Sequence, residues 1–174
     1  MAIREIKLYP DPVLRVVCPP VERFDDSLEE LVDDMVETMY AAPGVGLAAP
    51  QIGVEQRVTV VDPTAGEEPD RLHVLVNPAI RQPEGRESDL EGCLSLPGIT
   101  EKVDRAARIT VDAVDVAGNP IELEADGLLA RVIQHEIDHL DGVLFVDRLT
   151  GLRKERVRRR LKKMRRELEG VAVR

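Results

Sequence analysis

The sequence predicts an α+β fold, because a run of strand-like segments precedes the last two predicted helices. These segments do not alternate regularly with helices, which argues against a doubly wound parallel sheet. A length of 174 residues fits one domain with a complete hydrophobic core. Aromatic residues make up only 2% of the chain, so the core must consist mainly of Leu, Val, Ile and Ala.

The first predicted helix follows a proline-punctuated opening. Proline at four positions up to Pro20 predicts extended or looped backbone there. Apolar residues then recur at helical spacing over 26–41, and Asp26 or Ser27 can cap this helix. Four strand-like segments follow, and the last two are expected to pair as a hairpin. They lie at 57–62, 72–80, 107–116 and 121–124.

Two more helices are predicted towards the end of the chain. Asp126 can cap a helix that runs to about Asp141 and stops near Gly142. Its apolar residues cover more than one face, so we expect this helix to be buried. A third helix is predicted after Thr150.

The second of these three helices carries a His-Glu-x-x-His pattern. His135 and His139 are four residues apart and lie on one helix face, so both can bind one metal ion beside Glu136 as general base. Two surface histidines on an amphipathic helix are the alternative. A catalytic site of this kind needs a third protein ligand. His73 is one candidate and Cys93 the better one, because a thiolate binds borderline divalent metals well, although a small core residue is also possible there.

Two further segments give the pattern its specificity. They are Gly-Val-Gly-Leu-Ala-Ala-Pro-Gln at 44–51 and Glu-Gly-Cys-Leu-Ser at 91–95. Together with 135–139, and in this order, they resemble the peptide deformylase family, as do 9–15 and 123–129. The resemblance covers essentially the whole chain. It implies antiparallel sheets packed around the motif helix, and removal of the N-formyl group from nascent peptides beginning with formylmethionine, which releases formate.

The resemblance also implies a role for each motif residue. Cys93, His135 and His139 would hold one divalent metal, with Fe2+ expected and Zn2+, Ni2+ or Co2+ as alternatives. Glu136 would act as general base. The Gln51 side chain and the Leu94 backbone N–H would stabilise the oxyanion. Substrate-binding positions would be Gly44, Val45, Gly46, Leu128 and Val132.

Four charged residues are expected around this site. Asp138 cannot share the ligand face with both histidines, and the family pattern implies an ion pair with Arg105. Glu91 is expected either to orient a ligand by a hydrogen bond or to be a solvated loop carboxylate. Arg131, in an otherwise apolar stretch of the helix, is expected to extend its charge to the pocket rim.

Charge is distributed unevenly along the chain. The net charge is −9, yet residues 150–169 contain ten Lys or Arg against three Glu. We therefore divide the chain into a catalytic part, 1–149, and a basic C-terminal helix and tail of the same domain, 150–174. A narrow apolar stripe on this helix favours packing on the domain; it consists of Val157, Leu161, Met164 and Leu168. In relatives such a helix docks on the ribosome, which is the expected partner here.

Several classes of protein are disfavoured. No apolar run reaches the length of about 20 residues that spans a membrane, and the N-terminus lacks a secretory h-region, so we expect a cytoplasmic protein. Nothing indicates sequence-specific nucleic-acid binding. A Cys18–Cys93 disulfide is possible by count alone, but a reducing compartment argues against it.

Three alternative functions remain for comparison. A His-Glu-x-x-His peptidase would cleave internal peptide bonds, but Cys93 and the Gln51 segment argue against it. A ribosome- or RNA-binding protein with a vestigial metal fold would be expected to lose at least one of Glu136, Gln51 and Cys93. A structural zinc domain would need four protein ligands.

Overall fold

The computed structural model describes residues 2–171; Met1 and residues 172–174, the end of the expected C-terminal tail, lie outside the described residues. The described residues contain three α-helices: α1 (Asp26–Ala41), α2 (Gly127–Leu140) and α3 (Gly151–Val171). It also contains seven strands: β1 (Gly46–Ala48), β2 (Val58–Val61), β3 (His73–Glu84), β4 (Glu87–Glu91), β5 (Glu101–Arg105), β6 (Arg108–Val114) and β7 (Pro120–Asp126). This content confirms the α+β class.

The strands form two antiparallel sheets. Five of them pair in the order β1-β2-β3-β6-β7, while β4 and β5 form a separate two-stranded sheet. Helix α2 contacts β1, β2 and β7. Its apolar residues Ala130, Ile133 and Ile137 belong to the same buried cluster as Leu75 and Val111 of the large sheet. The predicted packing of antiparallel sheets around the motif helix is confirmed.

Strand prediction was correct for the apolar segments and incomplete elsewhere. Strand β2 lies within the predicted 57–62, and β6 and β7 form the predicted hairpin. Strand β3 continues past the predicted end at 80 to Glu84. Strands β1, β4 and β5 were not predicted. Strand β1 has only three residues. In β5 the buried positions include the charged residues Glu101 and Arg105, so apolar and polar residues do not alternate along the strand.

Helix boundaries agree with the sequence, but the caps differ. The N-cap of α1 is Asp25, not Asp26 or Ser27, and its carboxylate accepts a hydrogen bond from the Ser27 N–H at 3.2 Å. Asp126 occupies the N-cap position of α2 without a side-chain capping bond. Gly142 ends the turn after α2 at φ +69°, where an added Cβ would lie 2.5 Å from the Arg15 carbonyl oxygen.

The basic helix α3 packs along the body of the protein. Val157 is 2% exposed and belongs to a buried cluster against which Leu161 and Met164 also pack, whereas Leu168 is 42% exposed. Arg156 pairs with Glu101 of β5, and Arg160 donates a hydrogen bond to the Gly98 carbonyl at 2.8 Å. Of the expected apolar stripe, Val157, Leu161 and Met164 therefore pack against the body of the protein, and Leu168 does not.

The remaining observations concern the opening segment, the cysteines and membranes. The opening segment is irregular except for a short 3-10 helix, Pro12–Arg15, within the stretch predicted as extended or looped. Cys18 and Cys93 are both free thiols and form no disulfide. Within residues 2–171, no helix is both long and apolar enough to cross a lipid bilayer.

Candidate metal centre and active site

Three side chains from two parts of the chain form a metal-binding group. Helix α2 supplies His135 and His139, and the irregular segment after β4 supplies Cys93. One ligand atom of each lies within 4.8 Å of the others. The Cys93 Sγ atom is 3.3 Å from His139 Nε2. His73, the other candidate for third ligand, does not belong to this group, which is the one found among the described residues.

Glu136 directly follows His135 on α2 and is buried beside the candidate ligands. It is 4% exposed, and its Oε2 atom has no hydrogen-bond partner among the described residues. Burial raises the pKa of Glu136 to about 7, although the charge of His135 opposes the shift. A Cβ added at Gly46 of β1 would lie 2.5 Å from Glu136 Oε1, so only glycine allows this strand to approach the carboxylate.

Gln51 contacts the metal-binding group at Cys93. It lies in a short 3-10 helix, Ala49–Ile52, that directly follows β1, and it is 1% exposed. Its Oε1 accepts a hydrogen bond from the Ala48 N–H at 2.9 Å, which fixes the orientation of the amide. Its Nε2 then faces Cys93 Sγ at 3.6 Å and Ser95 Oγ at 3.2 Å. The amide N–H groups therefore point towards the ligand cysteine.

A buried ionic network lies behind the ligands. Arg105 donates hydrogen bonds to both Glu91 oxygens, at 2.8 and 2.9 Å, and to Asp138 at 2.6 Å, so the expected Arg105–Asp138 pair is present. Glu91 is buried, and its Oε2 lies 3.0 Å from His135 Nδ1. Burial opposes ionisation of Glu91, but hydrogen bonds from Arg105 and His135 outweigh burial and lower its pKa to about 2. Glu91 is therefore no solvated loop carboxylate.

Arg131 departs from its sequence-based prediction. It is 6% exposed and does not extend to the solvent. Its Nη1 donates to Glu91 Oε1 and to the Val103 carbonyl, each at 2.8 Å, and its Nη2 donates to the Glu87 carbonyl at 2.9 Å. The prediction was wrong because three acceptors on the unpredicted β4–β5 sheet satisfy the guanidinium inside the protein.

A cavity of about 350 Å³ adjoins this centre and brings most of the predicted residues together. Eleven of the predicted site residues line it: Gly44, Val45, Gly46, Gln51, Glu91, Cys93, Leu94, Leu128, Val132, His135 and Glu136. His139 lies within the metal-binding group, and Arg105 and Asp138 lie behind it. Leu128 is 52% exposed and stands at the edge of the cavity rather than in the core.

Sequence reasoning missed several residues at this site. Pro43 and Leu90 line the cavity, and Leu90 is 62% exposed. Ser95 holds the Gln51 amide, and Arg148 donates two hydrogen bonds to Asp138, each at 2.6 Å. Ser95 could have been found, because it stands within the 91–95 motif. Arg148 gave no signal, since it ends a short 3-10 helix, Phe145–Arg148, that no sequence motif marks.

Comparison with known proteins decides the family. A sequence model described as polypeptide deformylase matches residues 3–155. The peptide deformylase of Acidobacterium capsulatum is 53% identical over 166 residues, covering 95% of this chain and 98% of the relative. The chain belongs to the polypeptide deformylase family. The peptide deformylase of Alkalilimnicola ehrlichii is 54% identical over 164 residues, covering 94% and 92%.

Solved peptide deformylases share the fold of this chain. The crystal structure from Legionella pneumophila superposes with a TM-score of 0.87 at 48% identity, covering 97% of this chain and 98% of that one. Arabidopsis thaliana peptide deformylase 1B, in complex with an inhibitor, gives a TM-score of 0.91 at 39% identity, with coverage of 95% and 92%. The chain is therefore an enzyme, a hydrolase of the peptide deformylase type.

The donor set of this chain fits the metal dependence of the deformylase family. One thiolate and two imidazoles are ligands for borderline transition metals, and three protein ligands leave a position open for catalysis. The Nδ1 atom of His135 is engaged by Glu91, which leaves Nε2 as the ring nitrogen available to a metal. Burial keeps the pKa of His139 well below its usual value and so favours the neutral ring that a metal ligand needs.

Proposed function

We propose that this deformylase removes the N-formyl group from formylmethionine at the start of nascent polypeptides and releases formate. One observation carries the proposal. Cys93, His135 and His139 group their ligand atoms beside the buried carboxylate of Glu136, whose Oε2 atom has no hydrogen-bond partner among the described residues, at the wall of a cavity. An internal-bond peptidase is disfavoured by the thiolate ligand and by the Gln51 amide aimed at it.

We propose Fe2+ as the metal, held by Cys93, His135 and His139. Thiolate and imidazole ligands suit Fe2+, and they suit Zn2+, Ni2+ and Co2+ as alternatives. When bound, such a cation supplies Lewis acidity, which activates a water molecule as a nucleophile near neutral pH. Glu91, Arg105 and Asp138 are structural support: the ion pairs among them hold the ligand-bearing segments together.

Glu136 is proposed to move the protons of the reaction. Its carboxylate accepts a proton from the attacking water as a C–O bond forms at the formyl carbon. The same carboxyl group then gives this proton to the amide nitrogen as the C–N bond breaks, so that formate and a free amine leave. A pKa near 7 lets one group perform both transfers efficiently.

The Gln51 amide and the Leu94 backbone N–H are proposed to stabilise the negative charge that develops on the formyl oxygen. The hydrogen bond from the Ala48 N–H to Oε1 already orients the amide towards the metal-binding group. One preorganised donor of this kind is typically worth about 2.7–4 kcal/mol of the barrier. Gly44, Val45, Gly46, Leu128 and Val132 are proposed to bind the formylmethionyl substrate, which their position around the cavity supports.

The substrate assignment is tested by anaerobic purification with Fe2+ and measurement of formate released from formyl-Met-Ala-Ser. We expect stoichiometric release of formate and of the free amine, and no digestion of casein. Loss of release after removal of the metal with a chelator, and its return with Fe2+, is expected because three ligands converge on one position. Bound metal without formate release, together with casein digestion, would favour the peptidase.

We further propose that residues 150–174 complete one domain with residues 1–149 and that α3 docks the enzyme on the ribosome in the cytoplasm. The apolar side of α3 is covered by the body, and Arg156 and Arg160 are held there. Exposed basic side chains remain on the helix, among them Arg158, Arg159 and Lys162. Such a cluster favours a polyanionic partner.

Charge reversal tests the ribosome proposal without unfolding the helix. We expect Arg158→Glu, Arg159→Glu and Lys162→Glu together to abolish co-sedimentation with ribosomes at physiological salt and to leave formate release from a short peptide unchanged. The matched control reverses three exposed arginines on the body, Arg23, Arg71 and Arg108. Equal ribosome binding by wild type and the α3 variant would overturn this docking surface.

A further inference from the structure

Arg131 contacts the machinery around the proposed metal site at three points. It lies one helical turn before His135 on α2, so both side chains stand on the same helix face. Both contact the same carboxylate: Arg131 Nη1 donates to Glu91 Oε1 at 2.8 Å, while His135 Nδ1 lies 3.0 Å from Oε2. Arg131 and Arg105 together hold Oε1, and Oε2 faces the histidine ring.

The same guanidinium also holds both strands of the small sheet. Its remaining hydrogen bonds go to the carbonyl of Glu87, at the start of β4, and to the carbonyl of Val103 in β5. Cys93 follows β4 after a single residue, Gly92. Arg131 therefore fixes the strand that leads to the cysteine ligand onto the helix that carries the histidine ligands.

Arg105 does not duplicate this role. Arg105 contacts both Glu91 oxygens and links them to Asp138, on the far side of the network from the cavity. Arg131 lines the cavity itself and is the group that bonds the backbone of both strands.

We propose that Arg131 is a positioning residue, which clamps Glu91 and thereby orients His135 and places Cys93 for metal binding. The inference rests on the proposed metal site and adds a residue to it. Removing this clamp loosens the ligands without deleting any of them. Groups that hydrogen-bond a metal ligand, as Glu91 does, typically change metal affinity by about 10–100-fold, and Arg131 acts on the ligands through Glu91.

The test measures metal release, which does not depend on the substrate. Zn2+-loaded and Co2+-loaded proteins are mixed with excess chelator, and the release rate and the Co2+ visible spectrum are recorded for wild type, Arg131→Met and Arg131→Lys. We expect release to be about 10–100-fold faster in Arg131→Met, as for other residues that hold a metal ligand. Lysine keeps the charge, but its single nitrogen does not reproduce the two separate guanidinium nitrogens that contact these three acceptors, so its release rate should be intermediate. The Co2+ bands should shift in both variants.

A matched control separates positioning from general stability. Arg86 stands just before β4 and pairs with Asp104 of β5, but its side chain is 77% exposed. Arg86→Met should leave the metal release rate and the Co2+ spectrum at wild-type values. Arg131→Met with a lower melting temperature but unchanged release and spectrum would overturn the inference, since Arg131 would then be purely structural. If Arg131→Met does not fold, unchanged release in Arg131→Lys overturns it equally.

The result also separates this inference from the proposed metal site. Wild-type protein that fails to bind one metal ion per chain would overturn the site and the inference with it. Wild-type protein that binds one ion and releases it no more slowly than the Arg131 variants would overturn the inference alone.

Discussion

Replacing Glu136 with Gln is expected to reduce formate release by about 10²–10⁴-fold while metal content stays at one ion per chain. Glutamine has the same size and fills the same buried space, but its amide cannot accept a proton from water or return one to the amine. Cys93, His135 and His139 remain in place, so metal binding is retained. The measurement is formate release per metal-loaded enzyme, with metal content determined on the same sample.

The Glu136→Gln variant should also be at least as stable as wild type. Burial raises the pKa of Glu136 to about 7, which means that the fold holds the ionised form at a cost that a neutral amide avoids. A matched control is Glu37→Gln in α1, since Glu37 also has a buried oxygen without a partner among the described residues. Activity of Glu136→Gln within a few-fold of both wild type and Glu37→Gln would show that another group is the base.

The three members of the candidate metal-binding group could be predicted from the sequence because each lies in a short motif with a fixed geometry. His135 and His139 needed only helical spacing and an apolar helix around them, and both conditions are local. Cys93 could be ranked above His73 by its chemistry and its flanking residues. The structure adds the direction of the His135 ring, which depends on Glu91, a residue 44 positions before it.

The small sheet and its network could not be predicted from local patterns. Strand β4 is exposed at four of its five positions, and the inward positions of β5 are Glu101, Val103 and Arg105. Strand prediction relies on alternation of apolar and polar residues, and here charged residues take the inward positions. The error at Arg131 has the same origin, because its acceptors are the backbone of strands that the sequence did not reveal.

The largest loss of stability is expected for Arg105→Met, at about 3–5 kcal/mol, because it leaves the charges of Glu91 and Asp138 buried and only partly paired. The Arg105 side chain is 3% exposed, and its two partners are 4% and 9% exposed. Denaturant unfolding of the metal-free protein measures the free energy of unfolding without the contribution of metal binding. Arg148 still reaches Asp138, and Arg131 still reaches Glu91, which places the expected loss at the lower end of that range.

Arg81 provides a control, because it pairs with two carboxylates as Arg105 does, but on the exposed surface. It also bridges two carboxylates, Asp112 and Glu122, but all three side chains are 46–66% exposed. Water screens these charges, so Arg81→Met should cost no more than about 1 kcal/mol. Each variant removes an arginine that pairs with two carboxylates. The difference between their losses in free energy of unfolding therefore reports the effect of burying those charges. Similar losses for Arg105→Met and Arg81→Met would contradict the view that the network behind the metal ligands is held together by desolvated charges.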